Sequence, residues 1–323
     1  MHPIADKAKL AMLCMQRFSW EQGTAMQALL ECGDLEAMAM MAEEAAYRSL
    51  EDGRVAMMGS ETAVNDPCAC GEGMIVASAM PGHEHLKTNV EKLLSWSLEL
   101  APRSEKGILF HLGDGVQFWN DSLYMLPPFL CAAGKYDEAL HQLYGLFDAL
   151  RDPETGLLRH IWDEGRQEFA DGAFWGSGNG WALAGIARVI AMLPPEKESD
   201  RQKLISMNKA LLADVIRWQN EDGSYHDIMD KPESFKEWNL SQMVAYAMYR
   251  GMADGWLEKD WLPKAEFLFD SVVNAMDDHG RISPVCGAPF FNKPGYSVEA
   301  QAFFLLMDAA RDKCLAKSSS IIC

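Results

Sequence analysis

The residues best suited to chemistry in this chain are acids placed beside aromatic rings. Asp121 falls in Trp119-Asn120-Asp121-Ser122-Leu123-Tyr124-Met125, Asp66 in Asn65-Asp66-Pro67, and Glu237 in Glu237-Trp238-Asn239. A carboxylic acid against an aromatic wall loses hydration, which penalises its charged form. Its pKa rises and it can deliver a proton near neutral pH. The chemistry expected is therefore general acid catalysis, with Asp121 and Asp66 as the catalytic candidates and Glu237 as a substrate-binding one. Trp20, Trp119, Trp162, Trp175, Trp181 and Trp238 fall in or beside loops that lead into helices. Their flat faces suit the C–H faces of sugar rings, while carboxylates and amides take the hydroxyls. The same residue types have plainer uses. Asp121 begins a helix and Asp66 precedes a proline, the places of a cap and a turn, and tryptophans also plug cores.

Other catalytic patterns are missing from the sequence. Gly176-Ser177-Gly178-Asn179-Gly180 has the glycines of a phosphate-binding turn but lacks its preceding strand and its lysine. Cys68 and Cys70 stand two apart without the second ligand pair of a zinc site, so neither a metal nor a cofactor is expected.

Helices must position these residues. Leu204, Met207, Leu211 and Val215 form a stripe at spacings of three and four, with Arg201, Lys209 and Asp214 off it. Asp34 stands where an N-cap would, Gly134 ends a helix, and Pro194-Pro195 closes another. No set of alternating strands stands out. About a dozen helices group into pairs, each led by a Gly- or Trp-containing loop, with junctions near Trp20, Asp66, Trp119, Trp175, Trp238 and Tyr296. The intervals, roughly forty-five to sixty-five residues, suit a helical hairpin plus a loop. Such hairpins build an open solenoid or a closed ring. A ring is favoured because Gly180–Ile190 and Ser241–Tyr249 are apolar on most faces, as inner-wall helices are. In a ring the unequal loops at 52–65, 101–118, 152–178 and 219–237 gather at one end and converge on a pocket. The expectation is an all-α, six-hairpin (α/α)6 barrel forming a single domain over residues 1–323.

Composition narrows the partners. Of the 323 residues 49% are hydrophobic and 24% charged, enough apolar mass for a large core. The net charge of -18 repels phosphate backbones and anionic lipid, which argues against nucleic acid and membrane surfaces. The first residues mix Asp6, Lys7 and Lys9 into a helical pattern, and no long uncharged apolar run follows. A soluble, cytoplasmic protein with reduced thiols is expected; its oligomeric state is not legible here.

The segments Trp119 to Met125, Trp175 to Trp181 and Trp20-Glu21-Gln22-Gly23 resemble the signature stretches of glycoside hydrolase family 105, the unsaturated rhamnogalacturonyl hydrolases. The unsaturated glucuronyl hydrolases of family 88 are the near relatives. The likeness runs over nearly the whole chain, with the motifs in order. It implies the (α/α)6 barrel and an enzyme that removes a non-reducing terminal 4,5-unsaturated uronic acid from lyase-generated oligosaccharides by hydrating the C4=C5 bond. By resemblance Asp121 is the acid and base and Asp66 the second aspartate. His111 and His160 fall near substrate-contacting histidines, Trp20 at a ring-contacting aromatic, and Trp119, Trp175 and Trp181 at pocket aromatics. Many members carry Arg where this chain has Ser177, and an Arg would pair bidentately with a sugar carboxylate. Ser177 offers a hydroxyl instead. The rival readings are a saturated glycosidase or an epimerase on the same ring, and a non-enzymatic helical scaffold.

Overall fold

The computed structural model describes residues 2–15, 17–59 and 61–319. Its helices are α1 (Ala5–Cys14), α2 (Ser19–Cys32), α3 (Leu35–Tyr47), α4 (Gly71–Ala77), α5 (Lys87–Ser95), α6 (Ser122–Met125) and α7 (Pro127–Ala132). They continue with α8 (Tyr136–Leu150), α9 (Gly176–Met192), α10 (Glu198–Ile216), α11 (Asn239–Asp254), α12 (Leu262–Asn274) and α13 (Val298–Ser319). A tight turn of helix at Asp66–Cys70 leads into α4, and Pro127 and Pro128, which lack N–H groups, separate α6 from α7.

These helices make two concentric rings. In the inner ring α2, α4, α6 with α7, α9, α11 and α13 each pack on the next, and α13 returns to α2 to close the circle. Outside them α1 lies on α13, α3 on α2, α5 on α4, α8 on α7, α10 on α9 and α12 on α11. This is the (α/α)6 barrel read from the sequence. Its inner helices begin near Trp20, Asp66, Trp119, Trp175, Trp238 and Tyr296, the junctions expected.

Burial follows the two roles. Every residue of α11 from Asn239 to Tyr249 is buried, and α9 is buried from Gly176 to Ile190. Outer helices bury one stripe: α8 buries Leu140, Leu143, Phe147 and Leu150, and α10 buries Leu204, Leu211 and Val215, with Met207 half-buried against them. Each such leucine contributes about 1.5–3 kcal/mol on burial. Close approach between inner helices needs small residues. A Cβ on Gly23 would lie 2.3 Å from the carbonyl carbon of Ala69, so this glycine lets α2 press on the turn that carries Asp66.

The far end of the ring is tied by charge. Arg188 of α9, 1% exposed, bonds Glu31 of α2 at 2.5 Å and Glu72 of α4, and Glu31 also takes Arg250 at 2.9 Å. Tyr246 donates to Glu31 at 2.9 Å. Four inner helices are thereby joined.

The loops at the other end contain short strands, a correction to the reading of the sequence. β1 (Gln117–Trp119), β2 (Ile161–Asp163) and β3 (Glu168–Asp171) form an antiparallel sheet in that order, with Trp119 opposite Ile161. β4 (Tyr225–His226) pairs with β5 (Lys236–Glu237). Strands of two to four residues are too short to display an alternating period, so the sequence carries no signal of them. Among the described residues no helix is long and apolar enough to cross a membrane.

Candidate active site

Two loops bring two aspartates to one histidine. Asp66 begins the short helix before α4, and Asp121 stands at the N-cap of α6. His111 lies between them, its backbone N–H donating to Gln117 at 2.8 Å and its carbonyl accepting from Val64 at 3.0 Å. The His111 ring presents Nε2 to Asp66 at 3.8 Å and Nδ1 to Asp121 at 3.6 Å. It stacks on Trp119 with centroids 4.3 Å apart and planes at 8°. Nδ1 is also 2.9 Å from the Ser122 hydroxyl, which accepts from the Asn65 amide at 3.0 Å. Burial pushes the His111 pKa down, so the neutral ring is favoured.

The Asp121 side chain makes no capping hydrogen bond to α6, and its Oδ1 is buried with no hydrogen-bond partner in the protein. One oxygen thus lacks a protein donor, while the backbone N–H groups of Asp121 and Ser122 still act on the carboxyl and oppose the rise in its pKa. Burial pushes the carboxyls of Asp66 and Asp121 up to about 6 each, the first opposed by His111 and the second by His160.

A second wall is aromatic. His160, just before β2, meets Trp119 edge-on at 5.4 Å and Trp175 at 4.7 Å, and its Nδ1 is 2.9 Å from Asp171 at the end of β3. Phe291 stands perpendicular to Trp175 at 6.4 Å and 6.3 Å from Trp20, which stacks on Phe18. Between these rings lie two adjoining cavities. The inner, of about 180 Å³, is lined by Trp20, Asp66, His111, Ser177, Trp181 and Glu299 among others. The outer, of about 360 Å³, is lined by His160, Asp171, Asp227 and Asn292 among others. Trp119, Asp121, Trp175 and Phe291 line both, which puts Asp121 at their junction.

The glycine-rich motif positions this wall. A Cβ on Gly178 would sit 2.3 Å from the Asn120 amide, so the glycine allows α9 to pack on the residue preceding Asp121. Asn179 accepts from the Leu158 N–H at 2.8 Å and donates to the carbonyls of Leu158 and Trp175 at 2.9 and 3.0 Å. The stretch before His160 is thereby fastened to the start of α9. Ser177 is 2% exposed, and its hydroxyl has no hydrogen-bond partner in the protein.

Not every expected residue joins the site. Glu237 accepts from the N–H groups of Asn239 at 2.5 Å and Leu240 at 3.0 Å, satisfying the start of α11, and it lines neither cavity. Burial pushes its carboxyl up to about 8. The substrate-binding role expected for Glu237 is therefore replaced by a capping one. Trp162 and Trp238 also lie outside the lining. Sequence reasoning missed Asp171, Asp227, Cys286, Phe291, Asn292 and Glu299. Glu299 reads as an ordinary first-turn acid of α13, and Phe291 belongs to a coil with no periodic pattern. In the fold, burial and the adjacent Glu21 drive the Glu299 carboxyl well up, while burial raises Asp227 to about 6. Among the described residues no three ligating side chains gather as a metal site would require.

A closed double ring of helices with a tryptophan-walled cavity and raised carboxyls at its loop end defines a protein of the six-hairpin glycosidase class. A model described as Glycosyl Hydrolase Family 88 matches residues 1–302, and the chain belongs to that family. It is a glycoside hydrolase. It is 28% identical over 241 residues to the unsaturated rhamnogalacturonyl hydrolase YesR of Bacillus subtilis (strain 168), covering 70% of this chain and 68% of that protein. It is 23% identical over 183 residues to an unsaturated 3S-rhamnoglycuronyl hydrolase of Formosa agariphila, covering 51% of this chain and 48% of the relative. The fold superposes on a glycoside hydrolase from family 105 of C. acetobutylicum ATCC 824 with a TM-score of 0.82 at 18% identity, covering 96% and 98% of the two chains. The resemblance to families 105 and 88 read from the motifs is thus met by sequence and by fold.

Proposed function

We propose that the enzyme removes the non-reducing terminal 4,5-unsaturated uronic acid from oligosaccharides by hydrating its C4=C5 bond, with Asp121 as acid and then base. One observation carries this reading: a buried carboxyl with a free oxygen and a raised pKa stands where the two cavities meet. The names of the two curated relatives, both unsaturated-sugar hydrolases, support the substrate class.

Asp121 gives its proton to C4, and the positive charge that develops at C5 is shared with the ring oxygen. Water adds at C5 and returns a proton to the Asp121 carboxylate, leaving a hemiketal at C5. The hemiketal opens to a ketone, and the hemiacetal so formed at C1 releases the remaining chain as an alcohol. One water is consumed, the double bond is lost, and Asp121 regains its proton. The sugar ring lies against Trp119, Trp175 and Trp20, with Phe291 at the passage to the outer cavity, which takes the departing chain. Asp66 holds His111 and, through it, the orientation of Asp121.

The test is loss of the ultraviolet absorbance of the conjugated enol ether on incubation with lyase-made disaccharides from several polyuronates. At least one is consumed by the wild type and none at a comparable rate by Asp121→Asn; turnover of saturated glycosides alone contradicts the proposal.

A further inference from the structure

We propose that the inner cavity receives the C6 group of the unsaturated sugar in uncharged form, as an alkyl ester, so that the enzyme works on the products of lyases that cleave esterified polyuronates. The proposal rests on the hydration reading above and narrows its substrate.

The charge of the pocket is the first ground. Among the described residues no lysine or arginine lines either cavity. Asp66, Asp121 and Glu299 line the inner one, and Asp171 and Asp227 join Asp121 in the outer. Burial already raises the carboxyls of Asp66, Asp121 and Glu299, and a further carboxylate placed there finds no cation to pair with and drives them higher still. The imidazoles do not offset this. His111 is kept neutral by burial, and His160 already faces Asp171 at 2.9 Å. The basic groups of neighbouring segments face other partners, and Lys231 acts on Asp171, which lines the outer cavity and not the inner one. Arg17 donates to Gln22 and to the carbonyls of Leu13 and Met15, Arg159 is held by Asp152, and Lys293 sits over the Phe290 ring.

The second ground is what the wall offers instead. Ser177 brings a buried hydroxyl with no partner in the protein, a single neutral donor suited to an ester carbonyl. Leu112, Met125 and the ring of Trp181 add apolar surface that can receive an alkyl group but gives a carboxylate nothing. A buried site built for a neutral group rejects the charged analogue because the charge would be left unpaired.

The experiment compares one 4,5-unsaturated uronyl disaccharide as the free acid and as its C6 methyl ester at neutral pH, following the loss of absorbance. An ester withdraws electron density from C5 more than a carboxylate does and slows C4 protonation, so KM is the readout rather than kcat. The expected KM is about tenfold lower for the ester. Ser177→Arg reverses the order, lowering KM for the acid about tenfold and raising it for the ester. A wild-type KM for the acid equal to or below that of the ester overturns this inference and leaves the hydration reading standing; that comparison does not depend on the variant folding. A rise in acid KM in Lys293→Ala, with the ester unaffected, reveals a cation at the site and also overturns it. Consumption of neither form overturns the hydration reading and this inference with it.

Discussion

Among single residues, Asp121 decides the chemistry. Its raised pKa means that the protein holds the proton up to about pH 6, where an exposed aspartate would have lost it near 4. If the protonated form delivers the proton to C4, kcat/KM falls as pH rises above about 6, and a pH–rate profile from 4 to 9 checks the sign. Asp121→Asn keeps the shape and removes the proton, so turnover drops by about 10²–10⁴-fold while the far-ultraviolet circular dichroism is unchanged. Much of this residue set was legible in the sequence. The acids stand beside tryptophans, and the family resemblance ordered them, so Asp66, His111, Asp121, His160 and Ser177 all meet at the cavities. Glu237 was misread because an acid two residues before a helix serves a catalytic site and a helix start equally well, and only the fold shows which N–H groups it accepts from. Phe291 was missed because its coil has no period and reaches Trp20 and Trp175 only through the closed ring.

At the scale of the element, the site depends on how α9 begins. Asn179, in the first turn of α9, holds Leu158 of the loop before His160 with two hydrogen bonds and the Trp175 carbonyl with a third. Asn179→Ala leaves buried backbone groups at Leu158 unpaired and costs about 1–3 kcal/mol in a urea titration. It also raises KM more than it lowers kcat, because His160 and Trp175 form the wall and do not deliver the proton. A KM equal to that of the wild type would remove the motif from the site. The helices themselves were easy to read, since inner ones are apolar all round and outer ones carry stripes such as Leu204, Leu211 and Val215. The strands were not, yet β1, β2 and β3 hold Trp119, His160 and Asp171 in place. Their pairing joins segments some forty residues apart, which no local pattern records.

At the scale of the whole molecule, the ring separates a stabilising end from a reactive one. At the far end, Arg188→Met takes the ion-pair partner from half-buried Glu72 and leaves it only the Gln27 amide at 3.4 Å, while Arg250 still serves Glu31; a loss at the lower end of about 3–5 kcal/mol is expected, with KM unchanged. At the loop end, buried carboxyls work against stability. Asp66, Asp121 and Asp227 titrate near 6 and Glu237 near 8, so above pH 4 the folded protein holds protons that the unfolded chain has released. These groups therefore lower stability progressively as pH rises from about 4 to 8, and Asp121→Asn makes the melting temperature less sensitive to pH over the lower half of that window. For Asp121 that energy is the cost of keeping a proton beside a sugar ring. The most direct measurement follows the double bond and the released chain together in one time course with an unsaturated disaccharide. Hydration predicts that absorbance is lost at least as fast as the chain is released, and that both slow together in Asp121→Asn. Release of the chain while the double bond persists would contradict it.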